Sequence, residues 1–150
     1  MLLNRRSFLV RAGVGAATTA AASARLLAQQ HRIERLGMQL YTVRDAMAKD
    51  FDGTLAKVAE LGYKEVEFAG YFNKTPQDVK ASLAKAGLTS PSTHIGYDLL
   101  GDKFAKVIED SRIIGHSFIV NPWIDESIRS QPGAWQRAAE AFNRAGEEAK

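Results

Sequence analysis

The chain has 150 residues, 45% apolar and 25% charged, which suits one soluble globular domain with a sizeable core and excludes a disordered or collagen-like chain. Of its 20 Lys and Arg, Arg5, Arg6, Arg11 and Arg25 fall in residues 1–28, where there is no acid. That leaves 16 cations against 17 Asp and Glu, a net charge of −1 that gives a nucleic-acid partner no support. Cysteine is absent, which excludes disulfides, thiolate metal sites and a thiol nucleophile.

Residues 1–28 read as a targeting leader. Asn4-Arg5-Arg6-Ser7-Phe8-Leu9 resembles a twin-arginine export signal, with Arg5, Arg6, Phe8 and Leu9 in the positions that define it. A weakly hydrophobic stretch, Ala12 to Ala24, follows, and Ala22 with Ala24 or Ala28 offers a cleavage site. The stretch falls short of the roughly 20 strongly apolar residues of a permanent span. A periplasmic or extracellular location is therefore expected, with membrane contact only during export. An ordinary secretory signal is the competing reading of the same residues.

From residue 29 onward the pattern is repetitive. Gly37, Gly62, Gly87 and Gly115 each introduce a short apolar run: Met38–Val43, Val66–Phe68, Ser92–Ile95 and Phe118–Val120. Helical patterns are expected over about Asp52–Leu61, Pro76–Ala86, Asp102–Ile114 and Ala134–Lys150. Thr75-Pro76 has the form of an N-cap followed by proline at the first helical position, and Gly62 and Gly87 sit where helices end. Strands alternating with helices of this length predict parallel β/α units.

Such units close into an eight-stranded barrel or lie open as a doubly wound sheet. The open sheet usually carries a glycine-rich phosphate loop after its first strand, and there is no G-x-G-x-x-G here. A barrel typically needs about 250 residues. The expected fold is therefore α/β: four β/α units, the N-terminal half of a parallel (β/α)8 barrel over 29–150.

Barrel strands alternate between interior and helix-facing positions, and their C-terminal ends carry the chemistry. That parity places Gln39 and Tyr41 inward on the first strand, Glu67 on the second, and Ser92 and His94 on the third. On the fourth strand, Phe118 and Val120 are expected to face outward, so that Asn121 completes the inner row, with Trp123 just beyond. A carboxylate inside a barrel is costly unless partnered. Glu67 thus signals either a structural cation or a site that meets a sugar hydroxyl or metal-bound water. His94 reads as a substrate contact or a supporting core histidine. Tyr41 and Trp123 could stack on the C–H face of a sugar or simply fill the barrel. His31 and His116 are expected to be solvated, as are the acids at Asp98, Asp102, Asp125 and Glu126.

Gly37-Met38-Gln39-Leu40-Tyr41-Thr42-Val43-Arg44-Asp45 resembles the opening strand of the xylose-isomerase-like barrel family of sugar phosphate isomerases and epimerases. Leu61 to Gly70, Ser92-Thr93-His94 and Asn121-Pro122-Trp123-Ile124 are similar to its next three strands. The resemblance implies a metal-dependent proton transfer beside a carbonyl in the full-length parent, through one divalent cation (Mn, Mg, Co or Zn) held by later strands. None of those ligands has a counterpart in these residues, so this chain is expected to bind no metal alone. The positions that do match, Tyr41, Glu67, His94 and Trp123, lie on the substrate side, and their expected partner is a small carbohydrate. No catalytic residue is assigned.

Three functions follow as expectations. The first is an exported sugar isomerase or epimerase of which this chain is an incomplete barrel. The second is a lyase or hydrolase acting on oxidised (3-keto) glycosides with the same proton abstraction. The third is a non-catalytic sugar-binding module or a dimer of half-barrels, since a four-stranded unit leaves two open edges.

Overall fold

The computed structural model describes residues 33–150. The leader at 1–28, with Arg5, Arg6, Phe8 and Leu9, and His31 lie outside the described residues. Among those that are described, no helix is long and apolar enough to cross a membrane.

The first strand, β1 (Gly37–Gln39), ends early in a 3-10 turn at Leu40–Val43, followed by α1 (Arg44–Lys49) and α2 (Phe51–Glu60). Asp50 starts α2: its side chain accepts the Gly53 amide at 2.9 Å, and Phe51, Leu55 and Val58 form the buried stripe behind that cap. After β2 (Glu65–Phe68) comes α3 (Pro76–Ala86), which Thr75 and Asp78 open with a reciprocal capping box. It closes at Gly87, whose φ of 68° is left-handed and suits glycine. Then β3 (Thr89–His94), a short 3-10 turn at Tyr97–Leu99, α4 (Phe104–Ile114) and β4 (Phe118–Val120) complete the sheet. The short α5 (Glu126–Arg129) and α6 (Ala134–Glu148) follow, and α6 packs through Ala134, Ala138, Ala141 and Ala145.

All strands pair in parallel, in the order β1-β2-β3-β4. The pairing fixes two faces, because partners in a parallel ladder point the same way. Met38, Val66, Phe68, Thr93 and Ile119 share the helix-facing side. Their main core joins Leu40, Met47, Leu55, Val66, Phe68 and Val79. A smaller cluster of Ile95, Phe104, Ile108 and Ala145 takes in Ile119. Full burial of a side chain such as Phe68 contributes about 1.5–3 kcal/mol, and its ring also stacks on Phe51. Gln39, Glu67, Ser92, His94, Phe118 and Val120 share the other face.

Two irregularities set the phase of this pattern. Glu65 pairs with Thr89 and Glu67 with Ser92, so β3 carries one extra residue between those pairs. Ser90 and Pro91 occupy that bulge, where a residue lacking an N–H can sit inside a strand. On β1, the Gln39 side chain accepts the Tyr41 amide at 2.6 Å, which ends the strand and starts the turn. The predicted run to Val43 is thus cut at Gln39, and the 3-10 turn at Leu40–Val43 takes up its tail.

Candidate functional site on the open sheet face

Three strands place polar side chains side by side on the face away from the helices. Gln39 of β1 stands opposite Glu67 of β2, and Glu67 stands opposite Ser92 of β3. His94, two residues further along β3, lies above Ser92 on the same face. The Ser92 hydroxyl donates to Glu67 Oε2 at 2.5 Å, and His94 Nε2 lies 2.7 Å from Glu67 Oε1. Gln39 Nε2 approaches His94 Nδ1 at 3.1 Å. Among the described residues, His94 is the one basic side chain within ion-pair distance of Glu67. The structural Arg or Lys that could have accounted for this carboxylate is not what meets it.

Both side chains remain open to solutes, with His94 23% and Glu67 25% exposed. The face therefore combines a partnered carboxylate with access from outside. A relay of this kind can hold a hydroxylated ligand and orient its O–H groups toward the carboxylate.

The other expected site residues sit elsewhere. Tyr41 does not continue the inner row of β1. It lies exposed in the 3-10 turn, with the Arg44 guanidinium 4.4 Å from its ring centroid. The capping of the turn by Gln39 is the physical reason. Asn121 is also displaced: Val120 stands opposite His94, and Ile119 opposite Thr93. Phe118 and Val120 thus belong to the open face, and Asn121 follows Ile119 to the helix side. There it donates to the Ile95 carbonyl at 2.9 Å. It lines a cleft of about 310 Å³ with Ile95, Phe104, Ile108 and Phe142. Trp123 borders a second cleft of about 270 Å³ with Trp135, Phe142 and Arg129, whose guanidinium lies 4.7 Å from the Trp123 ring centroid. Trp135 was not singled out by sequence: one indole at a helix start carries no signal of the loop folded against it.

His116 is half-buried and bonded rather than free in solvent. Its Nδ1–H donates to the Ser90 carbonyl at 2.8 Å, and its Nε2 lies 3.1 Å from the Tyr71 hydroxyl. Thr93 Oγ1 is 3.2 Å from the same phenol, and the Tyr71 and His116 rings are stacked. Burial holds the His116 pKa below its ordinary value, against the opposing pull of the Ser90 carbonyl. Burial likewise raises that of Tyr71, with Thr93 acting the other way. The expected acid at Asp125 is solvated, but it caps α5 by accepting from Ser127, whose hydrogen bonds lower its pKa.

As for a metal, no three His, Asp or Glu side chains among the described residues converge on a common point. Glu67 and His94 give two donors already turned toward each other. These residues do not fit the cation that the resemblance implies.

No family model matches the chain, and no curated protein does. Among solved structures it is similar to a sugar phosphate isomerase/epimerase from Parabacteroides distasonis ATCC 8503. The TM-score is 0.63 at 21% identity, over 77% of this chain and 47% of that one. The parallel order, the β/α alternation and this likeness decide the architecture. This is the fold of half a (β/α)8 barrel. The half-barrel spans about half the length of the solved chain it matches.

Proposed function

We propose that the half-barrel binds a carbohydrate on its open face, as the substrate-side part of a sugar isomerase or epimerase. The observation that carries this reading is the Gln39–His94–Glu67–Ser92 relay, built from three adjacent strands and left accessible. The likeness to a solved sugar phosphate isomerase/epimerase supports it at the level of fold. Proton transfer beside a carbonyl, and any divalent cation that assists it, belongs in this proposal to groups other than the described residues. The leader sequence supports export before the sugar is met.

The full chain, labelled on histidine, is titrated with D-fructose and followed by NMR. Saturable shifts of the His94 imidazole at about millimolar sugar, absent in Glu67→Ala, are expected. No shift of His94 at any concentration, with the protein folded, overturns the proposal.

A further inference from the structure

The hydrogen bonds around His94 have one consistent direction, and it determines what the open face can accept. Gln39 Oε1 already accepts the Tyr41 amide at 2.6 Å, so the other end of the carboxamide, Nε2, is the group turned to His94. An NH2 group can only donate. His94 Nδ1 is therefore an acceptor, and the ring proton sits on Nε2, where it donates to Glu67 Oε1. A proton on Nδ1 would face the Gln39 NH2 directly. Relieving that clash means turning the carboxamide and abandoning the cap on the Tyr41 turn.

The remaining valences can then be counted. Both nitrogens of His94 are used. The Ser92 proton is used on Glu67, which leaves its oxygen only lone pairs. Each Glu67 oxygen has taken one donor and keeps room for another, and Gln39 keeps one N–H. Four oxygen atoms (two of Glu67, Ser92 Oγ and Gln39 Oε1) thus face a ligand as acceptors, against a single free N–H, with the whole set carrying negative charge. Among the described residues no Lys or Arg lies within ion-pair distance of Glu67. Arg44, just beyond the strand end, donates to the Tyr41 carbonyl at 2.9 Å and covers the Tyr41 ring.

We infer that Gln39 is a positioning residue that, together with Glu67, keeps His94 in the neutral Nε2–H form by barring a proton from Nδ1, and that the resulting acceptor-rich relay selects a neutral polyol over a phosphorylated sugar. Hydroxyl groups supply the donors that the relay lacks, whereas a phosphate brings further lone pairs and like charge. The selectivity rests on the carbohydrate-binding reading above; the tautomer assignment does not.

Two measurements on the full chain test this. In the free protein, imidazole 15N shifts are expected to show a protonated Nε2 and an unprotonated Nδ1 on His94. Gln39→Leu should keep the proton on Nε2, which Glu67 still accepts, but let Nδ1 take up a second proton over a wider pH range, and Gln39→Glu should widen that range further. A protonated Nδ1 in the unsubstituted chain overturns the assignment. Parallel titrations with D-fructose and D-fructose 6-phosphate, read at the same signals, should favour the neutral sugar. Like-charge repulsion at contact supplies a preference on the order of tenfold, and Glu67→Gln should narrow it. Equal or tighter binding of the phosphate ester at His94 overturns the selectivity. Failure of both sugars to shift His94 overturns the binding proposal and the selectivity together, while the tautomer measurement still decides the role of Gln39.

Discussion

His94 and His116 lie on opposite sides of one parallel sheet, and they are held in opposite ways. His116 is on the helix-facing side, stacked on Tyr71 and bonded to a backbone carbonyl, with no carboxylate partner among the described residues. His94 is on the open side, joined to Glu67 and left accessible. A histidine whose partners are neutral and buried ties elements together. One facing a carboxylate at an open surface is placed to meet a ligand. On the proposed reading, the contrast separates a structural histidine from a ligand-facing one without reference to sequence position.

The sharpest way to break the comparison is to remove His116. His116→Ala removes the donor to the Ser90 carbonyl and leaves the Tyr71 hydroxyl with Thr93 alone, and urea unfolding should show a loss of about 1–3 kcal/mol. A loss as small as that from an exposed site would mean that the cluster pins nothing. Tyr71→Phe removes the phenol that meets His116 and Thr93, and should cost about 1 kcal/mol on the same measurement.

On the other face the order of effects reverses. His94→Ala should change stability by less than about 1 kcal/mol, since the ring is partly solvated and its pair is worth little there. The same substitution should abolish the binding of D-fructose to the open face, read by calorimetry. Large destabilisation with sugar binding retained would place His94 with the structural group instead.

The pH dependence separates the two histidines with the smallest expected signal. His116 has a folded pKa below that of the unfolded chain, about 6.5. Below that pH the unfolded state binds the proton more readily. The contribution of His116 to stability is therefore complete above about pH 6.5 and declines as pH falls below it. His116→Gln should flatten this part of the profile. Tyr71, raised from 10.0, acts at the alkaline end: its contribution holds below about pH 10 and is lost as pH rises further.

Much of the fold was legible because its signals are local. The Thr75-Pro76 start and Gly87 end of α3 need only neighbouring residues, and the structure places that helix at Pro76–Ala86 as expected. The side-by-side placement of Gln39, Glu67 and His94 was also readable, since β2 alternates clearly between Val66, Glu67 and Phe68. Parity failed on β4, where Phe118, Ile119 and Val120 are apolar on both faces and carry no phase. It failed at Tyr41 because a side-chain cap, invisible to periodicity, ended β1. The partners of His116 were beyond reach for another reason: Tyr71 lies 45 residues away and meets it only through the tertiary fold.

Gln39 also joins two very different spans of chain. Its oxygen holds a group two residues away, and its nitrogen a ring 55 residues away. The short contact closes almost without entropic cost, whereas the long one waits until three strands have paired. In time, then, the carboxamide can already be turned the right way before the imidazole arrives. The direction of the proton network is set early by a two-residue loop, and the late, slow part of folding has only to dock onto it.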